Sequence, residues 1–464
     1  MINTGGAISM HEDENVGLTP GGADELGTYF TGGLIQEISE RESIRVDFFT
    51  DADNSHNLEP KDSADMNMER CVALAELIER EYGNYDGFVI LHGTDTMAYT
   101  ASALSFFLVN LEKPVILTGA QRSISEARTD ATQNLVTSIC LAAGRSDGTD
   151  LAPLNMVGLY FGSSLFRGNR ARYLGADRYS GFDSPNYPVV ATTGHFVEIH
   201  TDRIHPFGSS DSGDFHINTA YEPNVISLDL YPGFRPDLLG KVFSLEGLKG
   251  VVLKTFGTGN APTEPEFVHQ LENAYKRKIV VVNVTQCIVG LVQLGAFEAN
   301  SHLMEAGVVC GVDMTPEAAL TKLMWLLGSK ATPDQVRYAM QINLMGEQST
   351  SIHMLEWPGP RAEREWSGGP KTLSAHRGKR VLRAHLRFFN FDSRGPDEIG
   401  CKIDLNNISV ADGPLRSDRR TLSLDVTSTV KRVLPSHLPF TLRVQSTQPV
   451  SFRRAALYIQ DAFD

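Results

Sequence analysis

Asp86-Gly87-Phe88-Val89-Ile90-Leu91-His92-Gly93-Thr94-Asp95-Thr96-Met97 is the stretch from which the fold is read. A run of Phe, Val, Ile and Leu stops at Gly93. Small polar residues follow, and Ala98, Ala101, Ala103, Leu104 and Phe107 then recur at helical spacing. The pattern predicts a buried parallel strand, a tight turn and a helix start. It sets two hydroxyls and a carboxylate at the carboxyl end of a strand, where open α/β sheets bind ligands. Thr94, Asp95 and Thr96 are also ordinary residues for opening a helix.

The same alternation spreads outward. Helix-like stretches at Met66–Glu81, Met97–Asn110 and Asp130–Ala143 precede strand-like runs at Phe88–Leu91, Val115–Leu117 and Met156–Tyr160. This predicts a parallel sheet with helices on both faces. Thr201–Pro223, rich in Gly, Ser, Asp, His and Pro, reads as a linker. Strand Val251–Leu253, helix Glu264–Tyr275, strand Ile279–Val282 and helix Pro316–Leu327 then form a second, smaller α/β unit. The tail changes character. Glu356–Pro370 lacks periodicity, and short β-like runs follow at Arg380–Phe389, Cys401–Ser409, Thr421–Thr429, Pro439–Gln445 and Ala455–Ile459. They suggest a small antiparallel sandwich. The expected boundaries are 1–205 and 223–350 for the two α/β domains, 206–222 and 351–371 for linkers, and 372–464 for the β domain.

Near the start, Asn3-Thr4-Gly5-Gly6-Ala7-Ile8-Ser9-Met10 places a hydroxyl beside two glycines, which tolerate φ > 0 and close backbone approach. Together with the Gly93 turn, this stretch resembles the two signature motifs of the L-asparaginase family. His92-Gly93-Thr94-Asp95-Thr96 fits one throughout. Thr4-Gly5-Gly6 fits the other, with Ala7 where the family usually has a second Thr. Tyr85–Phe106 and Lys113–Gln121 resemble the cytosolic type I members nearly residue for residue. So do Phe166-Arg167-Gly168-Asn169-Arg170, Gly257–Pro262, Asn283–Cys287, Gly311–Thr315 and Thr321-Lys322-Leu323. The likeness ends near Ser349.

The resemblance implies a two-domain asparaginase-like α/β fold, a larger parallel-sheet domain followed by a smaller one, with the β sandwich outside the family pattern. It implies hydrolysis of L-asparagine to L-aspartate and ammonia, with no cofactor and no metal. Thr4 is then the nucleophile that forms the acyl-enzyme and Thr94 its counterpart. Asp95 grips the substrate's α-ammonium, Ser55 its carboxylate, and the Ala120 carbonyl its amide. Asn260 matches the position that reaches into a neighbouring subunit's site, which implies a homodimer or homotetramer. Two departures stand out. Tyr173 occupies the position of the lysine that supports the second threonine, and Gly17-Leu18 stand near the lid tyrosine. Tyrosine carries no positive charge near neutral pH, so Tyr173→Lys is expected to raise activity. These departures also support an alternative, an asparaginase-like amino-acid-binding or regulatory protein with weakened or lost catalysis.

Composition sets outer limits. At 464 residues, two or three domains are expected. No run of 18 apolar residues is present, so no membrane span is expected, and the N-terminus lacks the basic and apolar regions of a signal peptide. Only Met1-Ile2-Asn3 supply the first strand, short for the family. Five scattered cysteines suggest reduced thiols and a cytoplasmic location. A net charge of −14 argues against nucleic acid and acidic membranes as partners. The last 114 residues carry 18 Lys and Arg against 12 Asp and Glu, and the rest 24 against 44. The mildly basic β domain, from about Thr372, is expected to fold separately and to be dispensable for chemistry, and its positive balance suggests docking on the acidic body or on an anionic partner.

Overall fold

A computed structural model of the protein describes all residues except 14–16, 21–32, 34, 50–57, 205–212, 294–297, 361–362, 372–378, 390–391, 394–398, 416–420, 434–438, 453 and 464. Seven strands form the main sheet in chain order: β1 (Ile2–Asn3), β2 (Phe88–Leu91), β3 (Val115–Thr118), β4 (Val157–Phe161), β5 (Ser164–Arg167), β6 (Ala191–Thr193) and β7 (Val197–Ile199). The first four pair in parallel and the last three antiparallel. Helices α1 (Met68–Glu81), α2 (Met97–Phe107) and α3 (Ala131–Ala143) run between the parallel strands.

β2 is buried throughout because both faces of the sheet are covered. Phe88 and Ile90 join one core cluster with Val115, Leu117 and Leu104. Val89 and Leu91 join another with Ile116, Leu135 and Ile139. This is the period-2 alternation of a strand, applied to two apolar faces. α2 was expected to reach Asn110. It stops at Phe107 because Leu108–Val109 pairs instead with His216–Ile217, inside the stretch read as a linker.

The second parallel sheet contains β8 (Val225–Asp229), β9 (Gly250–Thr255), β10 (Val280–Thr285) and β11 (Val309–Cys310), with α4 (Pro265–Lys276) and α5 (Pro316–Gly328). Thr315 caps α5 by accepting from the Ala318 N–H at 3.1 Å. Both α/β sheets lie within one compact unit, residues 1–336 with 344–348.

Residues 337–343 and 349–464 make the other unit. Its sheets are β12 (Ser351–Pro358), β19 (Arg454–Phe463), β14 (Lys379–Phe389) and β17 (Thr421–Asp425) in spatial order, and β13 (Glu363–Lys371), β18 (Phe440–Ser451), β15 (Ile399–Leu405) and β16 (Ile408–Leu415). All pairings are antiparallel. Leu386, Phe388, Leu457 and Ile459 share a core with Ile403, Leu405, Leu442 and Val444. Ser351–Pro358 and Glu363–Lys371, expected as linker, are therefore strands. β12 pairs with β19 over its whole length and Trp357 is buried in the core.

Among the described residues no helix is long and apolar enough to cross a membrane, and no group of three or more His, Cys, Asp or Glu could hold a metal ion. The five cysteines are free thiols.

Candidate active site

Three turns meet at the carboxyl ends of β1, β2 and β3. Thr4 follows β1, His92-Gly93-Thr94 follows β2, and Gly119-Ala120-Gln121 follows β3. Parallel pairing alone makes them neighbours, and glycines bring them closer. A Cβ on Gly6 would stand 2.3 Å from Gly93 Cα, and one on Gly119 would stand 2.3 Å from the His92 carbonyl oxygen. Gly6 also has φ +88, a conformation that costs an L side chain energy. Gly6→Ala is expected to destabilise the unit by about 2 kcal/mol through strain and displaced backbone, measured by chemical denaturation. Wild-type stability in that variant would mean the two turns can separate freely.

Thr4 is only 3% exposed. Its N–H and its hydroxyl both donate to the Leu91 carbonyl, at 3.0 and 2.8 Å, and its own carbonyl accepts from the Lys61 N–H at 3.0 Å. Thr94 is half-buried and Asp95 exposed on the neighbouring turn. Ala120 is buried, beside a loop held by the Asp130 carboxylate, which accepts from the N–H groups of Gln121 and Arg122. Thr4, Thr94, Asp95 and Ala120 therefore lie on three adjoining turns.

The other expected residues fare differently. Ser55 lies outside the described residues. Gly17-Leu18, read near the lid position, lie in Gly17–Pro20, which pairs antiparallel with Met10–Asp13. Asn260 sits on the Phe256–Asn260 turn of the second sheet, and its side-chain oxygen accepts from Asn300 at 3.3 Å. Within the chain it is tied to that turn. The Tyr173 ring stacks on Phe182 with centroids 4.9 Å apart, and its hydroxyl pairs with the Gln121 amide. Arg172, its neighbour, turns to Glu317 at 3.3 Å.

Sequence reading overlooked a serine. Ser63 begins a one-turn 3₁₀ helix capped by Asp62. Its carbonyl accepts from the Thr96 hydroxyl at 2.7 Å, and its Oγ would stand 2.4 Å from a Cβ on Gly93. The signal was present as Asp62-Ser63-Ala64-Asp65, a hydroxyl between two carboxylates ahead of α1.

His92 was quoted only as part of the motif, yet it supports the turn from below. It is fully buried, with Nδ1 2.7 Å from the Gly93 carbonyl and Nε2 2.8 Å from the Thr100 hydroxyl. A carbonyl can only accept, so Nδ1 carries the proton and Nε2 accepts from Thr100. Burial pushes the imidazole down to about 4. In the unfolded chain it titrates near 6.5. Its neutral form thus contributes stability that is complete above pH 6.5 and lost as pH falls towards 4, about 3 kcal/mol in all. Denaturation of wild type and His92→Gln across pH 4 to 7 measures this. An equally steep acid loss in the variant would assign it to other groups.

Residues 1–205 match the family model "Asparaginase, N-terminal" and residues 224–340 match "Glutaminase/Asparaginase C-terminal domain". Over 287 residues the chain is 42% identical to L-asparaginase 1 of Escherichia coli (strain K12), covering 62% of this chain and 81% of that protein. It is also 42% identical over 267 residues to the 60 kDa lysophospholipase of Mus musculus, covering 58% of this chain and 45% of that one. The solved structure of L-asparaginase I from Vibrio cholerae O1 biovar eltor str. N16961 matches with a TM-score of 0.64 at 37% identity, over 75% of this chain and 98% of that one.

Proposed function

The chain belongs to the asparaginase family, and from that premise we propose that it hydrolyses L-asparagine to L-aspartate and ammonia through an acyl-enzyme on Thr4. The observation that carries this reading is the meeting of the Thr4 and Thr94 turns at Gly6 and Gly93. Thr4 rotates its hydroxyl from the Leu91 carbonyl towards the substrate's side-chain carbonyl and attacks it. The tetrahedral intermediate collapses with loss of ammonia, and water releases aspartate from the ester. Thr94 passes the proton, Asp95 pairs with the α-ammonium, and the Ala120 carbonyl accepts from the amide. Ser63, against Gly93, takes the substrate-carboxylate role beside or in place of Ser55. The site needs no cofactor or metal.

Ammonia release from asparagine by the purified protein tests the activity. A second reading, amino-acid binding with weak or no turnover, draws on Tyr173, which brings no cation to the position where the family resemblance calls for lysine. Asparagine binding without ammonia release would favour it. The active form is a homodimer or homotetramer in which Asn260 enters a neighbour's pocket. Mixing inactive Thr4→Ala with inactive Asn260→Ala subunits is expected to restore partial activity, and mixed oligomers without activity would reject the shared site.

A further inference from the structure

Tyr173 fills a position where the family resemblance calls for lysine, and its surroundings give it a different job. Its hydroxyl oxygen lies 3.2 Å from Gln121 Nε2 and 3.4 Å from Gln121 Oε1. Gln121 Nε2 also donates to the Gly175 carbonyl at 3.3 Å. The ring is fixed by stacking on Phe182, directly opposite it in a short antiparallel pair. Gln121 follows Ala120 immediately, at the carboxyl end of β3. The main chain of this loop is fastened on one side, where the Asp130 carboxylate takes the Gln121 and Arg122 N–H groups and Asn134 donates to the Gly119 carbonyl at 2.9 Å. The Gln121 side chain fastens it on the other. A Cβ on Gly181 would stand 2.7 Å from Gln121 Nε2 and 3.0 Å from the Tyr173 ring, so the packing around this contact is close.

We propose that Tyr173 is a positioning residue: through the Gln121 amide it sets the Ala120 carbonyl that receives the substrate's side-chain amide. The inference rests on the asparaginase reading of the site. A phenol paired with both ends of a carboxamide has its donor and acceptor engaged there, and it acts on the reaction by orienting a loop. The position has thus been rebuilt around tyrosine. A lysine installed alone would lose the ring stack and the Gln121 contact together, so the gain in activity expected from the resemblance is replaced here by an expected loss.

The test uses full-length protein with Tyr173→Phe, Tyr173→Lys, Gln121→Leu and the Tyr173→Phe/Gln121→Leu double variant. Tyr173→Phe keeps the stack and removes one hydrogen bond. It should lower kcat/KM by about 3- to 10-fold, mainly through KM, with the shape of the pH profile unchanged. The double variant should be no worse than Gln121→Leu, because the two side chains act as one unit. Tyr173→Lys should fall below wild type. Independently of any substrate, amide exchange at Gln121 and Arg122 should quicken several-fold in Tyr173→Phe. Higher kcat/KM in Tyr173→Lys, multiplicative losses in the double variant, a shifted pH limb in Tyr173→Phe, or unchanged exchange would each overturn the proposal. If wild type releases no ammonia, the catalytic reading falls while the exchange measurement still judges the Tyr173–Gln121 link.

Discussion

Thr4→Ala is expected to lower asparagine turnover by about two orders of magnitude or more, and Thr94→Val to do the same. An activated hydroxyl and its partner act as one unit, so removing either forfeits most of what both contribute. Thr4 is buried with its hydroxyl on the Leu91 carbonyl, and truncation to alanine removes that bond without opening a large cavity. The loss should therefore appear in kcat while folding stays close to wild type. The double variant should be little worse than either single one. Near-full activity in Thr4→Ala would sink the nucleophile assignment. Independent, multiplicative losses would mean that the threonines serve separate steps.

A second large effect is expected outside the three turns. Lys322 Nζ lies 2.5 Å from Glu347 Oε1, and both side chains are fully buried. The Glu347 carboxylate also accepts from the Leu344 and Met345 N–H groups, and Gln348 Oε1 lies 3.4 Å from Lys322 Nζ. Burial pulls the lysine below its usual value while the carboxylate opposes that pull. Taking away one member of such a pair strands the other charge without water. Lys322→Met should cost about 3–5 kcal/mol, read by chemical denaturation. Adding Glu347→Gln should return much of that loss, because the stranded charge is removed. A Lys322→Met protein of wild-type stability would show that water or another cation reaches Glu347.

Much of the fold was legible because local signals and tertiary demands agreed. Phe88–Leu91 is a strand at the bounds its apolar run gave, and the turn at Gly93 lies where small residues interrupt it. The misreadings share a cause: long-range pairing overrode local pattern. Cys401–Ser409 was read as one strand, but Asn406 and Asn407 adopt φ 51 and 60 and turn the chain back as a hairpin, the geometry two-residue hairpins favour. Thr421–Thr429 ends as strand at Asp425 because the Asp425 carboxylate caps a helical turn at Thr427. Trp, Pro and Gly in 356–370 concealed two strands whose partners lie 69 or more residues away.

The site was legible in part for a similar reason. Threonines and glycines at strand ends are visible in any sequence, and so their turns could be named. The Ser63–Gly93 approach joins segments 30 residues apart, and the Tyr173–Gln121 pair joins segments 52 apart. Neither leaves a mark in local spacing.

Residues 344–348 carry a further consequence. They belong with the α/β unit, held by the Glu347–Lys322 pair and by Arg170, which donates to the Glu347 carbonyl at 2.6 Å. The segments on either side, 337–343 and 349–464, belong with the sandwich. The chain is woven through the boundary, so a genetic exchange that swapped the sandwich at a single junction would always misassign a piece. A junction at 349 leaves 337–343 behind as an unmatched remnant, and one at 336 carries off Glu347 and abandons Lys322. A recombinant that exchanges this appendage must therefore rebuild the packing of 337–343, re-solve a buried charge, or take the interleaved segment whole.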